Sequence, residues 1–95
     1  MSRFDQAKML MKVKKIQKEL EKQQILIEKG DGAVSVEING EQKIKKIHIS
    51  PDAVDDIEQL ELWLEEAVKE AINTSQKIAA EKMQPMMGAL GDLGL

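Results

Sequence analysis

GDGAVSVEINGEQKIKKIHISPD, residues 30–52, lies between two long amphipathic patterns and decides the fold. Val34, Val36 and Ile38 alternate with Ser35 and Glu37, the period-two pattern of a half-buried strand over Ala33–Ile38. Asn39-Gly40 then marks a tight hairpin turn. A further strand is expected over Gln42–Ser50, with apolar Ile44, Ile47 and Ile49. The step of three from Ile44 to Ile47 breaks the alternation, and a bulge near Lys45-Lys46 restores its phase. Upstream, Ile25–Lys29 could close a helix, but its alternating β-branched residues and the Gly30-Asp31-Gly32 break favour a third strand.

The flanks read as helices. From Arg3 to Gln24, Met9, Val13, Ile16 and Leu20 recur in steps of four and three, so they share one seam. Lys8, Lys12, Lys15, Lys18 and Lys22 fall on a different arc at 100° per residue, with Phe4 and Met11 among them. Pro51 suits a turn or a first helical position, and residues 53–56 read as a brief helical turn. The second long helix is expected from Ile57 to Met83, stopped by Pro85. Its core arc holds Ile57, Leu60, Leu64, Ala67, Val68, Ala71, Ser75 and Ile78. The expected organisation is one domain over residues 1–84, and a mobile or loosely docked apolar tail over 85–95. The fold class is α+β: helix, three-stranded antiparallel sheet, helix, in two layers.

The 95 residues make a small core, and two aromatics, Phe4 and Trp63, leave it aliphatic. A chain of this size often completes its burial as a homodimer. The absence of cysteine removes disulfides and thiolate chemistry and suits a reducing compartment. Neither a signal peptide nor a membrane-spanning run is visible, so a cytoplasmic location is expected. The net charge of −3 conceals a split. Residues 1–29 hold eight Lys/Arg against four Asp/Glu, whereas residues 51–95 hold three Lys against ten Asp/Glu.

Little here suggests catalysis. His48, the single histidine, alternates to the polar face of its strand. Asp52, Asp55, Asp56 and Glu58 lack the spacing of a calcium loop and instead suit the positive end of the second helix. No metal site, cofactor or small-molecule substrate is expected. Trp63 flanks the core arc, where packing outweighs ligand stacking. Lysines opposite an apolar seam are ordinary on a solvated helix. Recurring over five turns, they also match a phosphate backbone. Without an Arg-rich or aromatic surface to read bases, such binding would carry little sequence preference.

The ordered set of motifs resembles the YbaB/EbfC family of bacterial nucleoid-associated proteins. The set comprises Lys8-Met-Leu-Met-Lys12, Gln17-Lys-Glu-Leu20, Gly30-x-Gly32, Val34-x-Val36, Asn39-Gly40 and Ile44-x-x-Ile47-x-Ile49-x-Pro51. It continues with Leu60/Leu64, Ala71-x-Asn73 and Glu81-Lys-Met83. The resemblance implies a tight homodimer that binds double-stranded DNA in the nucleoid without catalysis, with a regulatory role. Its DNA contacts would come from the basic residues of the first helix: Lys8, Lys12, Lys15, Lys18 and Lys22, with Arg3 and Lys14 outside them. Lys43, Lys45 and Lys46 are secondary candidates. Met9, Val13, Ile16, Leu20, Leu60 and Leu64 would build the core and dimer interface. Two departures stand out: a shorter second helix, and Ser75 where the family more often has Ala. The alternative is a protein–protein adaptor using the acidic helix face (Glu58, Glu61, Glu65, Glu66, Glu70) and the Met-rich tail.

Overall fold

A computed structural model describes the backbone of residues 3–92 and the side chains of residues 5–86. Helix α1 spans Arg3–Lys22, strands β1, β2 and β3 span Ile25–Lys29, Val34–Ile38 and Ile44–Ile49, and helix α2 spans Ile57–Asp92. A 3₁₀ turn at Pro51–Asp55 links β3 to α2. The sheet is antiparallel in the order β1-β2-β3. The αβββα expectation therefore matches the structure, with α1 ending two residues before Gln24, β1 as expected, β2 starting one residue later, and β3 starting two residues later and ending one earlier.

α2 packs across β1 and β2 and closes the core. Val34, Val36 and Ile38 are fully buried beneath it, joined by Ile25, Leu60, Ala67 and Ala71. Each fully buried Val or Ile contributes about 1.5–3 kcal/mol of transfer free energy, so β2 dominates the stability of the sheet. The small Ala67 and Ala71 let the helix backbone come down close to the strands. Leu64, Val68, Ile72 and Ile78 complete the helical side of the core. Asp56 caps α2: its Oδ1 accepts the Gln59 amide at 3.1 Å, satisfying one of the helix's open donors.

The bulge lies where the spacing of isoleucines puts it. Glu37 pairs with Lys46 but Ile38 pairs with Ile44, leaving Lys45 as the extra residue. The insertion keeps Ile44, Ile47 and Ile49 in line with Ile38, Val36 and Val34 on one face.

The hairpin turn differs from the expected Asn39-Gly40 reversal. The Asn39 amide donates to the Lys43 carbonyl at 3.0 Å, so the reversing residues are Gly40, Glu41 and Gln42. Positive φ falls on Gln42. Asn39 works through its side chain, whose Oδ1 accepts the amides of Glu41 and Lys43 while Nδ2 donates to the Glu21 carbonyl. Gly40 is required by contact: a Cβ there would stand 2.8 Å from Leu20 Cδ2 and 2.9 Å from the Leu20 carbonyl oxygen. The Gly40 amide donates to that carbonyl at 2.7 Å. The turn thus satisfies carbonyls that the end of α1 leaves open.

Pro85 does not stop α2, which continues to Asp92. A proline removes its own amide donor and crowds the carbonyl four residues earlier, a local cost. Burial of Met86, 4% exposed, on the following residue offsets it. The expected break at Met83 is thereby corrected. Residues 93–95 of the expected tail lie outside the described residues.

Candidate nucleic-acid interface

α1 leaves the sheet at the Leu20–Gly40 contact and runs beside the C-terminal half of α2, where Glu19 pairs with Lys82 at 3.6 Å. Its seam faces inward, with Leu20 buried and Met9, Val13 and Ile16 half-buried. Leu60 is buried and Leu64 packs against the core, whereas Met9, Val13, Ile16 and Leu20 lie on the inner side of α1 outside that cluster.

With the seam turned inward, the basic arc must face solvent. Lys8, Lys12, Lys14, Lys15, Lys18 and Lys22 are all exposed. The Arg3 backbone begins α1, and its side chain lies outside the described residues. Met11, 70% exposed, stands among the lysines. Side-chain ion pairs engage cations elsewhere in the fold. Lys29 on β1 is held by Glu70 of α2, and that hydrogen bond raises the lysine above its ordinary pKa. Lys69 is engaged by Glu65 at 2.8 Å.

The hairpin lysines divide. Lys45, displaced by the bulge, lines one groove with Lys22, Gln23, Gln24 and Asn39, and so adjoins the end of the α1 arc. Glu21 and Glu37 line the same groove and moderate its charge. Lys46 stands opposite Glu37 in the ladder, and Lys43 follows the turn, exposed. Sequence reading named these lysines without placing them. The juxtaposition of Lys22 and Lys45 depends on the bulge and on the Asn39–Glu21 bond, neither of which a linear pattern ranks.

His48 is exposed and paired across the ladder with Ser35. Among the described residues no group of three or more His, Cys, Asp or Glu could hold a metal ion. Nor is any described helix long and apolar enough to cross a membrane.

The model of the YbaB/EbfC DNA-binding family matches residues 2–90. The chain belongs to this family. YbaB/EbfC relatives include a nucleoid-associated protein of Clostridium novyi, 36% identical over 90 residues, covering 93% of this chain and 79% of that protein. Another, from Chloroflexus aurantiacus, is 37% identical over 87 residues and covers 90% and 87% of the two chains. The fold is also that of an uncharacterized Helicobacter pylori protein of known crystal structure. The TM-score is 0.80 at 17% identity, over 85% of this chain and 87% of that one. The family is a DNA-binding one. Its matched range runs past residue 84, the expected domain end, into the helical continuation of α2.

Proposed function

We propose that this protein binds double-stranded DNA as a homodimer in the bacterial nucleoid. The lysine face of α1 lies along the phosphate backbone, and sequence preference is small. The carrying observation is the exposed row of Lys8, Lys12, Lys15, Lys18 and Lys22, on a helix whose opposite face is held by the α2 arm. Lys14 and Arg3 are outer contacts, and Lys45 extends the row across the groove beside Lys22. Backbone neutralisation by lysine releases counterions without reading bases. A regulatory role follows from occupancy of the chromosome.

Support for the dimer comes from β3. Its outer edge is unpaired among the described residues, and Ile44, Ile47 and Ile49 are 42%, 45% and 36% exposed. These three extend the buried row of β2 beyond the reach of α2. An unpaired edge with an apolar face favours association, and a second copy offers a self-complementary cover.

The test is a gel-shift titration on random-sequence duplex at two salt concentrations, beside a sizing column. Affinity falls steeply with salt, and Lys12→Glu, Lys15→Glu and Lys18→Glu together abolish binding. Binding that survives the triple reversal, or ignores salt, removes this mechanism.

A further inference from the structure

The acidic half of α2 has no part in the DNA reading, yet its face is organised. Leu62 stands 53% exposed on the side turned away from the sheet. Glu58, Glu61, Glu65 and Glu66 surround it at helical spacing, all exposed. Glu58, Glu61 and Glu66 form no ion pair among the described residues, and Glu65 shares its charge with Lys69. On α1 the counterpart is Met11, exposed and surrounded by Lys8, Lys12, Lys14 and Lys15.

The two faces match in one antiparallel register. With Met11 set on Leu62, Lys15, four residues after Met11, meets Glu58, four before Leu62. Lys8, three before, meets Glu65, three after. Lys18 and Asp55, each seven residues out, continue the series beyond the start of α2. The parallel register instead sets Lys18 against Lys69. The faces cannot meet within one chain. The Glu19–Lys82 pair directs Met11 toward the far end of α2, roughly 40 Å from Leu62 at 1.5 Å per residue.

We infer that the acidic face of α2 is a docking site for the basic face of α1 from a second copy. The contact is heterologous, so it links copies head to tail, closing into a ring or extending openly according to the rotation between copies. It is distinct from the β3 edge. It also occupies the lysines proposed for DNA, so duplex and acidic face compete for α1; this last point alone rests on the DNA reading.

Sedimentation velocity of the full chain, without DNA, at about 20 mM and about 500 mM salt tests the docking, because exposed ion pairs are screened at the higher value. The weight-average sedimentation coefficient rises with protein concentration at low salt and stays flat at high salt. The acidic-face triple Glu58→Lys, Glu61→Lys, Glu65→Lys and the basic-face triple Lys8→Glu, Lys12→Glu, Lys15→Glu each lose the rise. An equimolar mixture of the two triples regains it. Neutral Gln triples at the same positions, which remove charge without reversing it, also lose the rise and guard against misfolding as the cause. Concentration-independent sedimentation of the wild type at low salt overturns the proposal, as does a mixture of folded triples that does not associate. A gel shift keeps the two readings apart. The acidic-face triple still binds duplex if the DNA reading holds, and its sedimentation judges the docking whether or not DNA binds.

Discussion

The Ser75 hydroxyl donates a 2.6 Å hydrogen bond to the Asn39 carbonyl, joining the middle of α2 to the start of the hairpin turn. Both residues are buried. Ser75 Oγ also accepts from the Gln42 amide at 3.1 Å and from Gln42 Nε2 at 3.0 Å. This anchors the Gln42 backbone, held at φ 63°. Asn39 reaches on to the end of α1 through Glu21. One serine therefore ties together both helices and the hairpin. Ser75 has a structural use at this position.

Ser75→Ala removes the hydroxyl bond to the buried Asn39 carbonyl, which keeps a longer 3.4 Å bond from the Gln42 amide, and removes one acceptor of Gln42 Nε2, which still donates to the Gly40 carbonyl. A hydrogen bond contributes about 0.5–1.5 kcal/mol net, so urea denaturation should show a loss of about 1–2 kcal/mol. A loss under about 0.5 kcal/mol, within the ordinary scatter of surface substitutions, would mean that water replaces the hydroxyl freely.

Gly30 and Gly32 separate strain from contact. Both have positive φ, at 64° and 88°. A Cβ on Gly30 would meet the Trp63 indole at 2.6 Å, whereas one on Gly32 meets nothing within 4 Å. Gly32→Ala should cost about 1–2 kcal/mol from the backbone alone. Gly30→Ala should cost more and shift the Trp63 fluorescence maximum, which Gly32→Ala leaves in place. Equal losses with unchanged fluorescence would contradict the contact.

Pro85→Ala restores an amide donor within α2. A proline in a helix interior costs about 3 kcal/mol, of which part should be regained. The expected readouts are a higher midpoint in urea and slower amide exchange from Met83 to Met86. A lower midpoint would show that the arm needs the proline.

Lys15→Ala should lower the slope of log K against log salt for duplex binding by about 0.9, the loss of one phosphate contact. Lys29→Ala should leave that slope unchanged, because Glu70 holds Lys29. A slope that responds equally to both would place the DNA elsewhere.

Acid should weaken the exposed face of α2. The hydrogen bond from Lys69, reinforced by its charge, holds the Glu65 carboxyl below its ordinary value of 4.5. The pair's contribution is therefore present above that value and is lost as pH falls through the lowered one. In Lys69→Gln the Glu65 carboxyl should titrate nearer 4.5 in an NMR pH series. No upward movement would show that the pair is not formed in solution.

The element order was legible because periodicity records which side of each element is buried. Ile44, Ile47 and Ile49 disclosed the bulge, since a strand aligned with Val34, Val36 and Ile38 must absorb one residue. The turn was misread because Asn39-Gly40 has the composition of a two-residue reversal. The chain spends Asn39 on side-chain bonds and Gly40 on a close approach to Leu20 instead. The end of α2 was misread because a proline rule weighs the local cost and omits the burial of Met86. Of the candidate interface, the α1 lysines and their arc were visible in the spacing. The meeting of Lys22 with Lys45, and the capture of Lys29 by Glu70, were not.

By itself the sequence determined the αβββα order, the inward seam of α1, the basic arc opposite it and the family. All of these follow from spacing along one chain. Tertiary structure alone decided where α1 points, through Leu20–Gly40, Asn39–Glu21 and Ser75–Asn39. It also decided that Lys29 is held by Glu70. Those outcomes depend on distances between residues far apart in sequence, and short-range periodicity carries no record of them.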